Sequence, residues 1–473
     1  MLTRRFARCS NLVKITLFKA YCQTFYTCSL RVNYTKRAYK DLQVQYNNAF
    51  RVLLGLPRYC SASRMFAEAR VDDSIYLLLD LLAVGLIVPL VPSHVRSLGG
   101  NHIHVGLLGS VYAGFQLGSG PLIGSLSDIK GRKSILIMTL LICSLAYTSM
   151  GLTTSVVVIL IIRAVLGIFK QTQVLTRAMV PDYELNSKKH GDIYGKMAAI
   201  SGAGITLGPV IGGHIVEDVS EGFYFITGLV GLCFALNAGL VFFLPKLPNR
   251  SRKRKPNTVN STQNVLQLAT NSLKQSFTEL YNIEWSKYWD IFLFKILVGF
   301  AMGVYYSNYS LYLKTQYEMS PKYIGYIISF QGTVGSFSSF FIGYINNFYK
   351  HDDDYSQRNF HIFVMLAVSL LGMILAGNVY VYTLWLIPLA IGNAMGRLIT
   401  LEMVLKRCHG DHRGTLIGAS NSVRSLAGVV APIVAGCIGQ FVGVPYVIYA
   451  SLFSTCLGVI LSYQHKQQRL KVD

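Results

Sequence analysis

Charged residues are scarce in this chain, and carboxylates are the scarcest. Only 14% of its 473 residues are charged, with 22 Asp and Glu against 44 Lys and Arg, while 52% are hydrophobic. A soluble globular domain carries roughly 25% charged residues. A single soluble core of this length is therefore excluded, and the composition predicts a polytopic membrane protein.

The motifs of the common enzyme classes are also missing. The nine cysteines show no CxxC or His/Cys metal spacing, and no nucleophile elbow or phosphate-cradling loop occurs. His102 and His104 lie close together, but two loop histidines more often bind nothing. We expect no enzymatic activity, no metal and no cofactor.

Residues 1–74 differ from the rest, with thirteen Lys/Arg, four Asp/Glu and no apolar run near the ~20 residues that span a bilayer. The stretches Arg8–Lys19, Tyr46–Arg51 and Gly55–Ser63 resemble the segment downstream of the catalytic core in retroelement reverse transcriptases. No polymerase body accompanies them. We expect a basic cytosolic tail that is disordered or a fusion artefact, and no nucleic-acid partner.

From residue 75 onward, apolar windows recur that are long enough to cross about 30 Å of hydrocarbon as helices. Only helices satisfy their own backbone groups there, and a barrel would show short alternating strands. The sequence predicts an all-α membrane protein with twelve transmembrane helices, which we number as segments 1 to 12: 75–92, 105–125, 134–151, 155–172, 191–214, 223–244, 290–313, 323–345, 359–377, 380–402, 414–437 and 445–463.

The loops differ in charge according to their side of the membrane. One alternate set, which includes the C-terminal tail of 464–473, holds 22 Lys/Arg, and the other holds three. The positive-inside rule therefore predicts that both ends of the bundle are cytosolic. The basic loop 245–289 is rich in Ser, Thr and Asn, as is typical of a linker. We expect it to join two six-helix halves, 75–244 and 290–463.

An internal repeat supports this division. Segment 5 matches segment 11 when the chain is shifted by 223 residues, and a nearby shift places Asn347 opposite Asp128. Two parallel halves of six helices are a known transporter plan, with the solute bound between them. The aligned pairs in segments 5 and 11 are Gly191 with Gly414, Gly195 with Gly418, Pro209 with Pro432, and Gly213 with Gly436.

The loop between segments 2 and 3 has the form Gly-x-x-x-Asp-x-x-Gly-Arg-Lys, at Gly124, Asp128, Gly131, Arg132 and Lys133. With twelve segments and a 6+6 repeat, this motif makes residues 75–463 resemble the major facilitator superfamily. The resemblance implies a cytoplasmic gate, where the aspartate and arginine hold the halves together when the carrier faces outward. The alternative is an ordinary topology loop.

Segment 5 contains Gly-x-x-x-Gly-Pro-x-x-Gly-Gly, at Gly204, Gly208, Pro209, Gly212 and Gly213, which resembles the family's antiporter motif. The glycines permit close helix packing and the proline permits a bend, so we predict a hinge. The alternative is generic small-residue packing. Segment 4 and the loop after it are similar to the drug:proton antiporter branch, and Gly167–Thr172 is closest to an orphan animal member of the superfamily.

Charges inside a bilayer are costly and usually functional. Asp80 in segment 1 is a candidate proton acceptor, because burial favours the neutral carboxyl. Arg163 in segment 4 and Arg424 in segment 11 are its candidate cationic partners. Lys170 and Arg397 lie nearer the cytosolic ends and could instead extend to the headgroups.

The resemblance and the intramembrane charges predict a secondary active transporter of a small organic solute, working by alternating access and proton-coupled antiport. We expect a multi-pass monomer in a lipid bilayer. The alternative is a non-transporting membrane sensor or scaffold that has kept the fold. The solute, the direction of coupling and the organelle are not encoded in any motif found here.

Overall fold

The computed structural model describes residues 74–183, 190–243, 278, 285–346, 348–349, 352, 354–407 and 413–470. The predicted tail of 1–74, apart from its last residue, and most of the predicted linker lie outside these residues. The described part contains helices and no strand. Its α-helices are α1 (Ser74–Ile87), α2 (Val91–Ser97), α3 (His102–Lys130), α4 (Arg132–Leu152), α5 (Val156–Phe169), α6 (Thr172–Tyr183), α7 (His190–Asp218), α8 (Gly222–Phe243), α9 (Trp285–Tyr317), α10 (Pro321–Asn346), α11 (Ser356–Ile374), α12 (Val379–Arg407), α13 (Arg413–Phe441) and α14 (Val447–Leu470).

The helices follow the predicted segments, but two segments continue past their predicted ends after a break. Segment 1 corresponds to α1 and is followed by α2, and segment 4 corresponds to α5 and is followed by α6, which occupies most of the first part of the predicted loop 173–190. Helix α9 begins at Trp285 rather than at about 290, and α14 continues to Leu470, into the predicted tail. All of these helices lie in one compact unit, apart from Pro181–Tyr183 at the end of α6.

Ten spans within the described residues are long and apolar enough to cross a membrane. Helices α3 and α10 are also long, at 29 and 26 residues, but glycine, serine and other polar residues lower their hydropathy. They pack against α13 and α7, respectively. Small residues at these positions allow close contact between helices rather than contact with lipid.

The helix contacts repeat between the halves. Helix α7 packs on α1 as α13 packs on α9, α8 packs on α4 as α14 packs on α11, and α5 packs on α3 as α12 packs on α10. Between the halves, α3 meets α13 and α7 meets α10. The structure is therefore the two-half, pseudo-symmetric helical bundle that the sequence predicts.

Local sequence fixes some helix ends. Asn101 caps α3, since its side chain accepts a hydrogen bond from the His104 backbone N–H at 2.9 Å. Gly131 joins α3 to α4 with φ of 95°, a conformation that favours glycine.

The second half has a hydrophobic core of its own. Within it Phe294 and Phe363 are fully buried, with ring centroids 5.8 Å apart.

Candidate functional site

Asp80 lies buried inside the first half, where Lys170 binds it. The Lys170 Nζ donates to both carboxylate oxygens of Asp80, at 2.7 and 2.6 Å, and to the Thr172 hydroxyl at 2.7 Å. Thr172 in turn donates to Asp80 at 2.9 Å. The side chains of Asp80 and Lys170 are only 2% and 5% exposed. The three side chains therefore satisfy one another, and the opposite charges of Asp80 and Lys170 offset each other.

The expected partners of Asp80 were therefore wrong. Neither Arg163 nor Arg424 forms the ion pair, and Lys170 does not extend to the headgroups. The reason is the break between α5 and α6, which ends α5 just before Lys170 and leaves its side chain free to turn inward. A polar Lys-Gln-Thr run at 170–172 in an apolar segment was the available sequence signal.

Side-chain amides hold this break in place. Gln171 donates to the Gln116 carbonyl and to the Ser119 hydroxyl, both at 2.9 Å. Gln116 donates to the Lys170 carbonyl at 3.3 Å. Carbonyls and amides freed by a helix break need such partners within a membrane. Helix α3 thereby fixes the position of Lys170 opposite Asp80.

Arg163 is buried on α5, at 8% exposed, and its charge interacts with Tyr112 on α3 and Tyr147 on α4. Its Nε has no hydrogen-bond partner. No carboxylate among the described residues pairs with it. Arg163 is therefore a second charged position in the first half, and it interacts with the same two tyrosines as Asp80 does.

Arg424 lies in the other half, on α13. Its Cγ would be 3.9 Å from a Cβ placed at Gly299 of α9. Its charge interacts with those of Lys295 and Arg397 and with Tyr306. The structure thus groups Arg424 with two cations that the sequence left outside the candidate site.

The gating loop forms contacts within the first half. Arg132 donates to Asp128 at 2.9 Å and to the Ala178 carbonyl of α6. Lys133 donates to the Phe242 carbonyl of α8 at 2.9 Å. The Asp128 side chain is 63% exposed. Gly124 has no atom within 4 Å of an added Cβ, and Asn347 lies outside the described residues. The gating role stays a prediction.

The glycines of the predicted hinge touch two helices. Gly204, Gly208 and Gly212 form the face of α7 against α1, and a Cβ at Gly208 would lie 2.5 Å from the Gly85 carbonyl carbon. A Cβ at Gly213 would lie 2.6 Å from the Pro321 carbonyl oxygen of α10. Gly325 of α10 in turn meets the carbonyl of Pro209. The motif joins α7 both to its own half and to the other, while bending stays a prediction.

The two halves are in close contact at one end of the bundle, which the loop charges predict to be the outer end. There Ser110 donates to the Val429 carbonyl at 2.6 Å, and the Tyr326 hydroxyl lies 3.0 Å from His214 Nε2. Along α3 the contact then loosens. A Cβ at Gly109 would be 3.0 Å from Pro432, whereas at Gly118 no atom lies within 4 Å.

A cavity of about 540 Å³ lies at this end, with Pro89, His94, Pro209 and Pro321 among its lining residues. Asp80, Arg163 and Arg424 do not line it. This cavity is separate from the intramembrane charges.

The family model described as Major Facilitator Superfamily matches residues 74–432. The chain belongs to this superfamily. Its members are transporters, so the chain is a transporter and not an enzyme, as the motifs predicted. The resemblance to a reverse transcriptase segment has no such support.

Two curated relatives extend over nearly the whole transporter. The quinolone resistance protein NorA of Staphylococcus aureus (strain MRSA252) is 24% identical over 403 residues, covering 84% of this chain and 96% of NorA. The class H tetracycline resistance protein of Pasteurella multocida is 25% identical, covering 82% of this chain and 94% of that protein.

Among solved structures, a bacterial homologue of the human lysosomal transporter Spinster, in an inward-facing and unoccupied conformation, superposes with a TM-score of 0.68. It is 12% identical, and the match covers 87% of this chain and 98% of that one. This likeness shows the fold.

Proposed function

We propose that this transporter exchanges protons for a small organic solute by alternating access. The observation that carries the proposal is the buried set of Asp80, Lys170 and Thr172 at the break between α5 and α6. Relatives named for quinolone and tetracycline resistance support a small organic solute.

Protonation would change this site in a defined way. A charged Asp80 holds Lys170 through two charge-assisted hydrogen bonds, whereas a neutral carboxyl forms weaker ones. Removing one charge from a buried pair leaves the other uncompensated, which costs about 3–5 kcal/mol. A proton on Asp80 therefore favours any conformation in which Lys170 reaches water or solute.

Helix α6 supplies a route from this site to the gating loop. It begins at Thr172, which bonds to both members of the pair, and its Ala178 carbonyl accepts from Arg132. Release of Lys170 would free the start of α6, and the movement would reach Arg132. Helix α6 would then link proton binding at Asp80 to opening of the gate, because coupling between two sites requires a change that both sites influence.

The test measures proton-driven transport in proteoliposomes, with tetracycline and norfloxacin as probe solutes. We expect the wild type to accumulate a probe when a pH gradient is imposed. Asp80→Asn should lose gradient-driven accumulation but keep exchange of labelled for unlabelled probe, because exchange needs no net proton movement. The exposed carboxylate at Asp218 supplies the matched control, Asp218→Asn, which should behave as the wild type.

Two results would count against the proposal. Full gradient-driven accumulation by Asp80→Asn would remove Asp80 from the coupling step. Absence of flux for every probe in a correctly folded wild type would favour the alternative, a membrane sensor or scaffold that has kept the fold.

A further inference from the structure

Three cations of the second half lie at nearly the same depth in the bundle. Lys295 is ten residues after the start of α9, Arg397 is ten residues before the end of α12, and Arg424 is eleven residues after the start of α13. At 1.5 Å per residue, each lies about 15 Å from the end of its helix that the loop charges predict to be cytosolic. The sequence does not predict this grouping, since α9 is separated from α12 and α13 by two further helices.

Arg424 is the member that connects the three cations. Its helix α13 packs against both α9 and α12, and its charge interacts with those of Lys295 and Arg397. Gly299, one turn beyond Lys295 on α9, leaves room for the stem of Arg424. Lys295 is buried and donates to the Ser420 hydroxyl, whereas Arg397 and Arg424 remain accessible. We call these three residues the cation triad.

Tyr306 lies beside the triad and brings polar and aromatic surface to it. Its hydroxyl accepts from Asn393 at 3.1 Å and from Gln331 at 3.3 Å, and it interacts with the charges of Arg397 and Arg424. The Tyr305 and Tyr309 rings lie 5.2 and 6.0 Å from the Tyr306 ring. Two guanidinium groups thus stand next to a cluster of aromatic rings.

No carboxylate among the described residues pairs with the triad. Asp80 is bound to Lys170 in the other half. Asp290 is bound to Arg407 at 2.7 Å and to His465 at 3.1 Å. Asp352 pairs with Arg358. Like charges held together within a bilayer are costly, and such residues normally pair with an opposite charge.

We propose that the cation triad is the binding site for the anionic group of the transported solute, an organic carboxylate, sulfate or phosphate with an aromatic body. Arginine forks bind such groups through paired hydrogen bonds. Arg397 and Arg424 hold the anion through their guanidinium groups, and the buried Lys295 adds a third positive charge. The tyrosines contact the aromatic part of the solute. This assignment rests on the proposed carrier function and names the class of its solute.

The test measures binding separately from transport. The probes share one coumarin core: 7-hydroxycoumarin-3-carboxylate, 4-methylumbelliferyl sulfate and 4-methylumbelliferyl phosphate as anions, and 4-methylumbelliferyl glucoside as the neutral comparison. Equilibrium binding is measured on the full-length protein in nanodiscs, and uptake is measured in proteoliposomes. We expect saturable binding of at least one anion and much weaker binding of the glucoside.

Removing one positive charge of the triad should weaken binding of the anionic probes and leave binding of the neutral glucoside unchanged. Arg424→Gln and Arg397→Gln should each weaken anion binding roughly ten- to a hundredfold, the range for a lost hydrogen bond to a charged group. Arg424→Lys keeps the positive charge and should restore part of the affinity, and thermal unfolding of each variant checks that it folds. Lys314→Gln removes a cation at the outer end of α9 and should leave binding unchanged.

Each outcome decides the assignment. Absence of binding by all three anions, or equal binding by wild type and Arg424→Gln, would overturn it. Anion binding that depends on the triad, without any uptake, would uphold the site and contradict the carrier function. Uptake of the glucoside but not of the anions would uphold a carrier and reject the anion site.

Discussion

Single residues differ in how their charges are matched inside this protein. Asp80 and Lys170 satisfy each other completely, with Thr172 closing the set. Arg163 and the cation triad have no carboxylate partner among the described residues. The stability of the protein depends on both members of a buried ion pair, because losing one leaves the other uncompensated. A cation without such a partner instead depends on the ligand that it binds.

The matched pair predicts an unequal response to single and double substitution. Asp80→Ala should destabilise the protein by about 3–5 kcal/mol, because Lys170 would stay buried without its partner. Asp80→Ala combined with Lys170→Met should recover much of that loss. Thermal unfolding of the purified protein in detergent measures both.

The double substitution should nevertheless remain unable to couple protons. If the single variant Asp80→Ala were as stable as the wild type, the pair would not be buried as the structure shows. Asp218→Ala, at an exposed site, is the control for loss of a carboxylate alone.

At the scale of elements, α7 depends on glycine to reach α1. The backbones approach so closely at Gly208 that an added Cβ would lie 2.6 Å from the Gly85 Cα. Since small residues permit such packing in membranes, the glycines fix the distance between these helices.

Alanine at Gly208 should therefore separate α7 from α1. We expect Gly208→Ala to lower stability by about 1–3 kcal/mol, the usual cost of overpacking, as measured by thermal unfolding. Gly239→Ala in α8 is the matched control, since no atom lies within 4 Å of its added Cβ. Equal stability of the two variants would contradict the close approach.

The course of the helices was largely predictable, but their interruptions were not. Hydropathy over about twenty residues locates a span such as segment 4, because the bilayer demands that length. It averages over Lys170 and Gln171, so the break that turns Lys170 toward Asp80 stays hidden. That break depends on Gln116 and Ser119, which approach only after α3 and α5 have packed.

The charges inside the predicted spans could be picked out of the sequence one by one, but the groups they form could not. Asp80, Arg163 and Arg424 stand out because a charge in an apolar run is rare. Their partners depend on which helices meet, and one chain carries no record of contacts between distant segments. Lys295 and Arg397 could be grouped with Arg424 only once α9, α12 and α13 were placed together.

At the scale of the whole molecule, the halves meet tightly at the end predicted to be outer. A Cβ at Gly439 of α13 would lie 3.4 Å from the Cβ of His102 on α3. This is close to the separation of roughly 3.5–4.5 Å that a disulfide requires. The two residues belong to different halves.

A disulfide there should lock the carrier. The pair His102→Cys and Gly439→Cys is expected to form a bond that stops transport of any solute the wild type carries, because alternating access requires this end to open. Reduction should restore transport. Each single variant is the control and should stay active under oxidation. Continued transport with the bond formed would show that the halves do not separate here.

The neutral pair at Asp80 also has an electrical consequence. A group without net charge does no work when it moves through the membrane field, whereas each unmatched charge exchanges about 2.3 kcal/mol per 100 mV across the full field. While Asp80 is unprotonated, the two residues can therefore shift together at almost no electrical cost. A proton on Asp80 would leave the charge of Lys170 unmatched, so the proposed coupling step should depend on voltage, as should any movement of Arg163 or the cation triad.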